Sequence, residues 1–212
     1  MQMNSFPEGY RALIIGASGG IGAALVETLR ADPRCASVTE LARSTTPPLD
    51  LTDPTSIGQT ATEVAGQGPF HLIINAAGVL HSDAFMPEKR LADLDHQQLL
   101  DRQRGVLAML SAKVGSIGDN RLVGWYSYRA SKAALNMLIK TAAIEVKRSQ
   151  PNAVLLALHP GTVSSRLSQP FRGSEIGRPA SEAADDLLRV IDGLGPEASG
   201  GFYAYSGEGL PW

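Results

Sequence analysis

Residues Arg11–Gly22 read RALIIGASGGIG, and this stretch decides the fold. Arg11–Ile15 (RALII) is a short apolar run ending on a glycine, the pattern of a buried strand. From Ile21 to Arg30 the apolar residues Ile21, Leu25 and Leu29 recur at helical spacing and share one face. Between strand and helix lie Gly16, Ala17, Ser18, Gly19, Gly20, Ile21 and Gly22. Glycine at 16 allows a tight exit from the strand, and glycine at 20 lets a pyrophosphate approach the backbone. Gly22 lets the helix pack close to the sheet. The helix N-terminus adds free N–H groups and a partial positive charge at the same point.

Outward from this turn, strands alternate with helices. Ser37–Ala42 reads as a strand, and Ser44–Leu49, with two prolines, as a turn. Asp53 followed by Pro54 opens a helix to about Ala65. Phe70–Ile74 is a buried strand closed by Asn75–Gly78, and Pro87–Asp101 is expected to be helical. Gly105–Leu110 is a further apolar run. Tyr126–Arg148 shows sustained helical spacing, with Ala130, Ala133, Ala134, Met137, Leu138 and Ile144 forming the expected buried stripe. Val154–Leu158 is a strand, Ser181–Ile191 a helix with Ser181 as its expected cap, and Phe202–Tyr205 a last strand. Such alternation implies parallel pairing with helices on both faces of the sheet. The expected fold class is α/β, a doubly wound parallel sheet of Rossmann type. No Pro/Gly-rich linker divides the chain, so residues 1–212 are expected to form one dinucleotide-binding domain.

Composition narrows the function. Lys+Arg number 19 against 21 Asp+Glu, and the basic residues are scattered, which speaks against a nucleic-acid partner. One cysteine, Cys35, excludes an internal disulfide framework and makes the reducing cytoplasm the expected compartment. His71, His81, His96 and His159 share no ligand spacing, so no metal is expected. Met1–Gly9 has neither a basic start nor an apolar core and does not read as a signal peptide. The longest largely apolar stretch, Ala12–Val26, has fifteen residues and four glycines, where a membrane span needs about 20 apolar residues.

The turn has the form G-x-x-G-G-x-G, which contains the G-x-x-x-G-x-G of the short-chain dehydrogenase/reductase family. Three further stretches resemble that family's motifs, in its order. Asn75-Ala76-Ala77-Gly78 is similar to its N-A-G signature, Tyr128-Arg129-Ala130-Ser131-Lys132 to its Y-x-x-x-K pair, and Pro160-Gly161-Thr162-Val163 to its P-G motif. Val114–Asn120 and Gly124–Asn136 also resemble a C-factor-like branch of bacterial members.

The resemblance implies a nicotinamide dinucleotide held by Gly16, Ser18, Gly19, Gly20, Ile21, Gly22, Asn75, Ala76, Ala77, Gly78, Pro160, Gly161 and Val163. A carboxylate at the end of the second strand selects NAD. Here that position holds Ala42, and Arg43 and Ser44 follow. An arginine there pairs with a 2′-phosphate, so NADP(H) is the expected cofactor. Glu40 is the rival carboxylate, two residues back within the strand. Asp50 and Leu51 match the family position beside the adenine.

Tyr128 and Lys132 are four apart on a helix and so share a face. An ammonium beside a phenol favours tyrosinate, bringing a group with an ordinary pKa near 10 toward the range useful for acid–base work. By resemblance Tyr128 is the general acid/base and Lys132 also holds the nicotinamide ribose. Tyr126 is excluded because its +4 residue is Ala130.

Two departures stand out. The family's carbonyl-binding serine falls on Ala112, which leaves Ser111 as the expected substitute and Ser116 as a rival. The segment between Gly78 and Gly105 is shorter than the family's, holds one expected helix and contains no asparagine. The resemblance also implies a substrate lid at Gln169–Arg178 and a homo-oligomer, dimer or tetramer. The implied function is carbonyl/alcohol oxidoreduction on a small-molecule substrate. A dinucleotide-binding regulatory or signalling protein with little turnover is the alternative.

Overall fold

The computed structural model describes residues 1–77, 105–165, 168 and 173–212. Gly78, the expected helix Pro87–Asp101 and residues 169–172 of the expected lid lie outside the described residues.

The strands are β1 (Tyr10–Ile15), β2 (Cys35–Leu41), β3 (Leu72–Asn75), β4 (Val106–Leu110), β5 (Val154–His159) and β6 (Gly201–Ala204). They form a six-stranded sheet in the order β2-β1-β3-β4-β5-β6, with every adjacent pair parallel. The helices are α1 (Gly20–Arg30), α2 (Pro54–Ala65), α3 (Tyr126–Val146) and α4 (Ala180–Gly193), with a single helical turn at Gly173–Ile176. Strand alternation splits the core in two. Ala12, Ile14, Leu72, Ile74, Val106, Ala108, Val154 and Leu156 face α1 and α4. Leu13, Ile15, Ile73, Leu107, Met109, Leu155 and Ala157 face α2 and α3. Helices therefore cover both faces, as the near-continuous apolar runs require. Among the described residues, no helix is long and apolar enough to cross a membrane.

The chain leaves β1 to one side for β2 and returns to the other side for β3. This reversal of strand order opens a crevice at the carboxyl ends of β1 and β3, where open α/β sheets bind ligands.

Two local expectations change. Pro179, not Ser181, stands at the N-cap of α4, and it makes no side-chain cap bond. Proline's fixed φ and the acidic Glu182 in the first turn start this helix instead. In α3 the buried residues are Asn136, Ile139, Ala143 and Val146, while Met137, Leu138 and Ile144 of the expected stripe are exposed. The face carrying Tyr128 and Lys132 runs down to Asn136 and turns toward the sheet, which rotates the alanine-rich stripe outward. By contrast, Asp53 caps α2 as expected, its carboxylate accepting from the Thr55 amide at 2.9 Å.

Candidate active site

The glycine turn is shaped by contact with the turn after β3. Gly16 has φ 83°, and a Cβ there would lie 2.6 Å from the Ala77 nitrogen. A Cβ on Gly22 would lie 2.1 Å from the Gly16 carbonyl oxygen. These two glycines let α1, β1 and the Asn75–Ala77 turn meet at backbone distance. The Gly16 and Ala17 amides both donate to the Leu41 carbonyl, at 2.7 and 3.2 Å, and the Ala76 amide donates to Ile15 at 2.8 Å. Asn75 accepts from the Ala77 amide through its Oδ1 at 2.9 Å and so fixes its own turn. No side chain caps α1 at Gly19, and no acidic residue occupies its first turn. That end of the helix keeps its positive field for an anion. Among the described residues, a Cβ on Gly20 would meet only Ser165 Cβ at 3.5 Å and the Ser164 carbonyl at 4.0 Å. Ser18, Gly19 and Gly20 are exposed and Ile21 is half-buried.

At the end of β2, Ala42 is buried and Arg43 and Ser44 are exposed. Thr45 Oγ1 bonds the Ala42 backbone at 2.8 Å and shapes the turn. Glu40 is engaged across the surface by Arg30. Asp50 accepts from the Thr52 hydroxyl and amide at 2.7 and 2.9 Å, and these bonds hold its carboxyl below the usual range, helped by the positive charge of Arg43. Leu51 beside it is exposed.

The loop after β5 closes the other end of the crevice. Val163 pairs with Arg178: the Arg178 amide donates to the Thr162 carbonyl at 3.0 Å and its carbonyl accepts from Ser164 at 2.9 Å. The Arg178 guanidinium stacks over Tyr205 at 4.5 Å and pairs with Asp186. The Tyr205 ring comes within 3.0 Å of where a Cβ on Gly161 would be. Pro160 and Gly161 are half-buried and Val163 is buried, so this loop is anchored from behind.

Tyr128 and Lys132 occupy the first turns of α3, with the ammonium 5.8 Å from the phenol ring centroid. Lys132 Nζ donates to the Leu110 carbonyl at the end of β4, at 3.0 Å. The 3₁₀ turn Lys113–Gly115 packs directly on the helix, because a Cβ on Gly115 would lie 2.6 Å from Lys132 Cβ. Burial pushes the Tyr128 phenol above its ordinary value and the Lys132 ammonium below its own. The expected lowering of the Tyr128 pKa is therefore absent in the protein alone: burial sets the direction, and the Lys132 ammonium is bonded to the Leu110 carbonyl. Tyr126 is 80% exposed.

The Ser111 hydroxyl is engaged by α3 at a point beyond Tyr128. It donates to Asn136 Oδ1 at 2.6 Å, and both residues are buried. Asn136 lies eight residues beyond Tyr128 on α3, about 12 Å along the helix. Ala112, extended at φ −148° and ψ 144°, directs its methyl to the opposite side. Ser116 is engaged elsewhere, donating to the Pro211 carbonyl at 2.6 Å and accepting from the Asp119 amide.

Four residues escaped the sequence reading. Asn136 stands four after Lys132, so the spacing that paired Tyr128 with Lys132 also reaches it. Trp125 N-caps α3 with φ 59° and ψ 32°, and its ring centroid lies 5.9 Å from that of Tyr128. Arg129 and Arg178 are held by tertiary contacts that no local pattern announces.

Comparison with known proteins gives the family and the fold. The short chain dehydrogenase family model matches residues 10–175. The chain belongs to the short-chain dehydrogenase/reductase family of oxidoreductases. It is similar to C-signal of Myxococcus xanthus, with 36% identity over 140 residues, 66% of this chain and 75% of that one. It is also similar to 1-hydroxy-2-glutathionyl-2-methyl-3-butene dehydrogenase of Rhodococcus sp. (strain AD45), with 30% identity over 181 residues, 78% of this chain and 79% of that one. Its fold matches NADPH-bound carbonyl reductase from chicken fatty liver, with a TM-score of 0.75 and 24% identity over 98% of this chain and 100% of that one. Carbonyl reductase Sniffer of D. melanogaster shares the fold with a TM-score of 0.79 and 21% identity, over 98% of this chain and 100% of that one.

Proposed function

We propose that this protein is an NADP(H)-dependent oxidoreductase that interconverts a carbonyl and an alcohol, with Tyr128 as general acid/base. The observation that carries this reading is that Lys132, four residues after Tyr128 on α3, bonds the Leu110 carbonyl at the carboxyl end of β4, the edge of the sheet at which the glycine crevice opens. The uncapped N-terminus of α1, with room beside Gly20 and with Gly16 and Gly22 letting the backbones close up behind it, fits a dinucleotide pyrophosphate. NADPH, when bound, supplies the hydride that reduces the carbonyl carbon.

The chain's own residues divide the remaining tasks. The open N-terminus of α1, with Ser18, Gly19, Gly20 and Ile21, receives the phosphates. Arg43 and Ser44 would hold the adenosine ribose, and Glu40, the carboxylate within β2, is engaged by Arg30. Asp50 and Leu51 border the adenine. Asn75, Ala76 and Ala77 form the floor at the switch point. Pro160, Gly161 and Val163 present main chain to the nicotinamide end. Lys132, half-buried and 5.8 Å from the Tyr128 ring centroid, would hold the ribose hydroxyls and keep its positive charge beside Tyr128. The phenolic proton of Tyr128 then passes to the carbonyl oxygen, and in the reverse direction the phenolate takes the alcohol proton. Ser111 serves as a strut through Asn136.

Arginine at 43, the single cysteine and the exposed Met137, Leu138 and Ile144 on α3 support a cytoplasmic NADP-binding homo-oligomer, dimer or tetramer. A second reading, a dinucleotide-binding regulator with little turnover, is favoured by one observation: Ala112 stands where the family's serine is expected. Titration with NADPH and NADH, followed by NADPH oxidation across a carbonyl panel, separates the two. Binding with turnover supports the reductase, and binding without turnover supports the regulator.

A further inference from the structure

Gly124 and Trp125 are both left-handed, at φ 85° and φ 59°. Among the described residues Trp125 is the one non-glycine with positive φ. A bulky side chain in that region is an outlier, and glycine would make the same turn without strain. The turn alone therefore gives no reason for an indole. The surroundings hold it in place. Arg129 donates from Nε to the Gly124 carbonyl at 2.9 Å and from Nη1 to the Val114 carbonyl at 3.4 Å. The Arg129 amide donates to the Trp125 carbonyl at 2.8 Å. The indole does not enter the core: it is 46% exposed and inclined at 55° to the Tyr128 ring. Leu122 and Val123, just before it, are exposed apolar residues of the same loop.

We propose that Trp125 is a specificity-determining residue. Its indole forms an apolar wall beside Tyr128, and the substrate class is a carbonyl compound bearing an aromatic or extended apolar group that stacks on it. The inference rests on the reading of Tyr128 as the acid/base. Arg129 is the positioning residue that holds the wall in register with α3. An aromatic face selects by area and ring geometry, so its removal weakens large apolar substrates far more than small ones.

The test uses the purified protein with NADPH and two aldehydes, benzaldehyde and propanal, in the wild type, Trp125→Gly and Trp125→Phe. Glycine suits the left-handed backbone, so Trp125→Gly folds with undiminished Tm. Its kcat/KM for benzaldehyde falls by about ten-fold or more, chiefly in KM, while that for propanal falls by less than about three-fold. Trp125→Phe keeps most of the preference. Equal losses for both aldehydes, or none, would overturn the wall. Calorimetric binding of benzyl alcohol to the protein with NADP+ separates this inference from the reductase reading. If no aldehyde is reduced but benzyl alcohol binds the wild type about ten-fold tighter than Trp125→Gly, the wall stands and the reductase reading fails. If aldehydes are reduced with no difference between wild type and variant in the benzaldehyde-to-propanal ratio, the wall fails and the reductase reading stands. With neither turnover nor binding, both fall.

Discussion

Ser111 donates its hydroxyl to Asn136 Oδ1 at 2.6 Å, tying the end of β4 to the middle of α3. Asn136 Nδ2 is buried without a hydrogen-bond partner among the described residues, so this bond is the asparagine side chain's main anchor. Replacing Ser111 by alanine leaves the amide stranded. Ser111→Ala is expected to lose about 1–3 kcal/mol of stability, measured by urea unfolding, with kcat changed by less than about three-fold. A fall in kcat of about a hundred-fold at unchanged Tm would instead put the Ser111 hydroxyl on the substrate.

Arg43 is exposed at the end of β2, and Glu40 is taken by Arg30. Arg43→Ala is expected to weaken NADPH binding by about ten-fold and to leave NADH binding nearly unchanged, since only the phosphorylated ribose needs the guanidinium. Fluorescence titration with both nucleotides reads this. Equal losses for the two would remove Arg43 from the phosphate.

The glycines of the turn divide by task. An alanine at 22 would place its Cβ 2.1 Å from the Gly16 carbonyl oxygen, whereas at 20 the nearest atom among the described residues is 3.5 Å away. Gly22→Ala is expected to lose about 3 kcal/mol or more, or to fail to fold. Gly20→Ala should keep its Tm and lose about ten-fold in NADPH affinity, because its methyl stands between the helix end and the phosphates. Thermal melts with and without NADPH distinguish the two.

The sequence made most of this legible. The strand-glycine-helix stretch at Arg11–Gly22 specifies the parallel sheet because each of its signals is local: an apolar run, a turn residue, a helical period. Tyr128 and Lys132 were legible for the same reason, since both lie within one helical turn. The orientation of α3 was not. Its alanine-rich stripe carries the apolar signal, yet the sheet takes the face with Asn136, Ile139 and Ala143, because a polar pair with Ser111 and the bond from Lys132 to Leu110 fix the rotation. Trp125 and Arg178 were silent as well. Their roles arise from a left-handed turn and from strands distant in sequence, which no short window contains.

His159 ends β5 beside the Pro160–Ser165 loop, and burial, with the positive charge of Lys113 adding to it, holds its imidazole down to about 4. The unfolded chain takes up that proton near pH 6.5, so the folded state is the weaker proton binder. The stability this gives is full above about pH 6.5 and is lost as pH falls through about 4. His159→Gln is expected to flatten the acid limb of stability against pH by roughly 2–3 kcal/mol over that window. Urea midpoints at a series of pH values check it, and parallel curves for both proteins would contradict it. Asp32 acts lower on the scale. Burial raises its pKa, but the Arg34 and Met3 amides and the Tyr10 hydroxyl outweigh this and hold it below the ordinary carboxylate value.

The most direct test of the account is the rate of NADPH oxidation with a reducible carbonyl in the wild type and in Tyr128→Phe, with NADPH affinity measured in both. The variant retains the ring beside Trp125 and Lys132 and loses only the proton donor. With Tyr128 as the proton donor, kcat falls by about a hundred-fold or more while NADPH affinity stays within about three-fold of wild type. Equal turnover in the two proteins would contradict it.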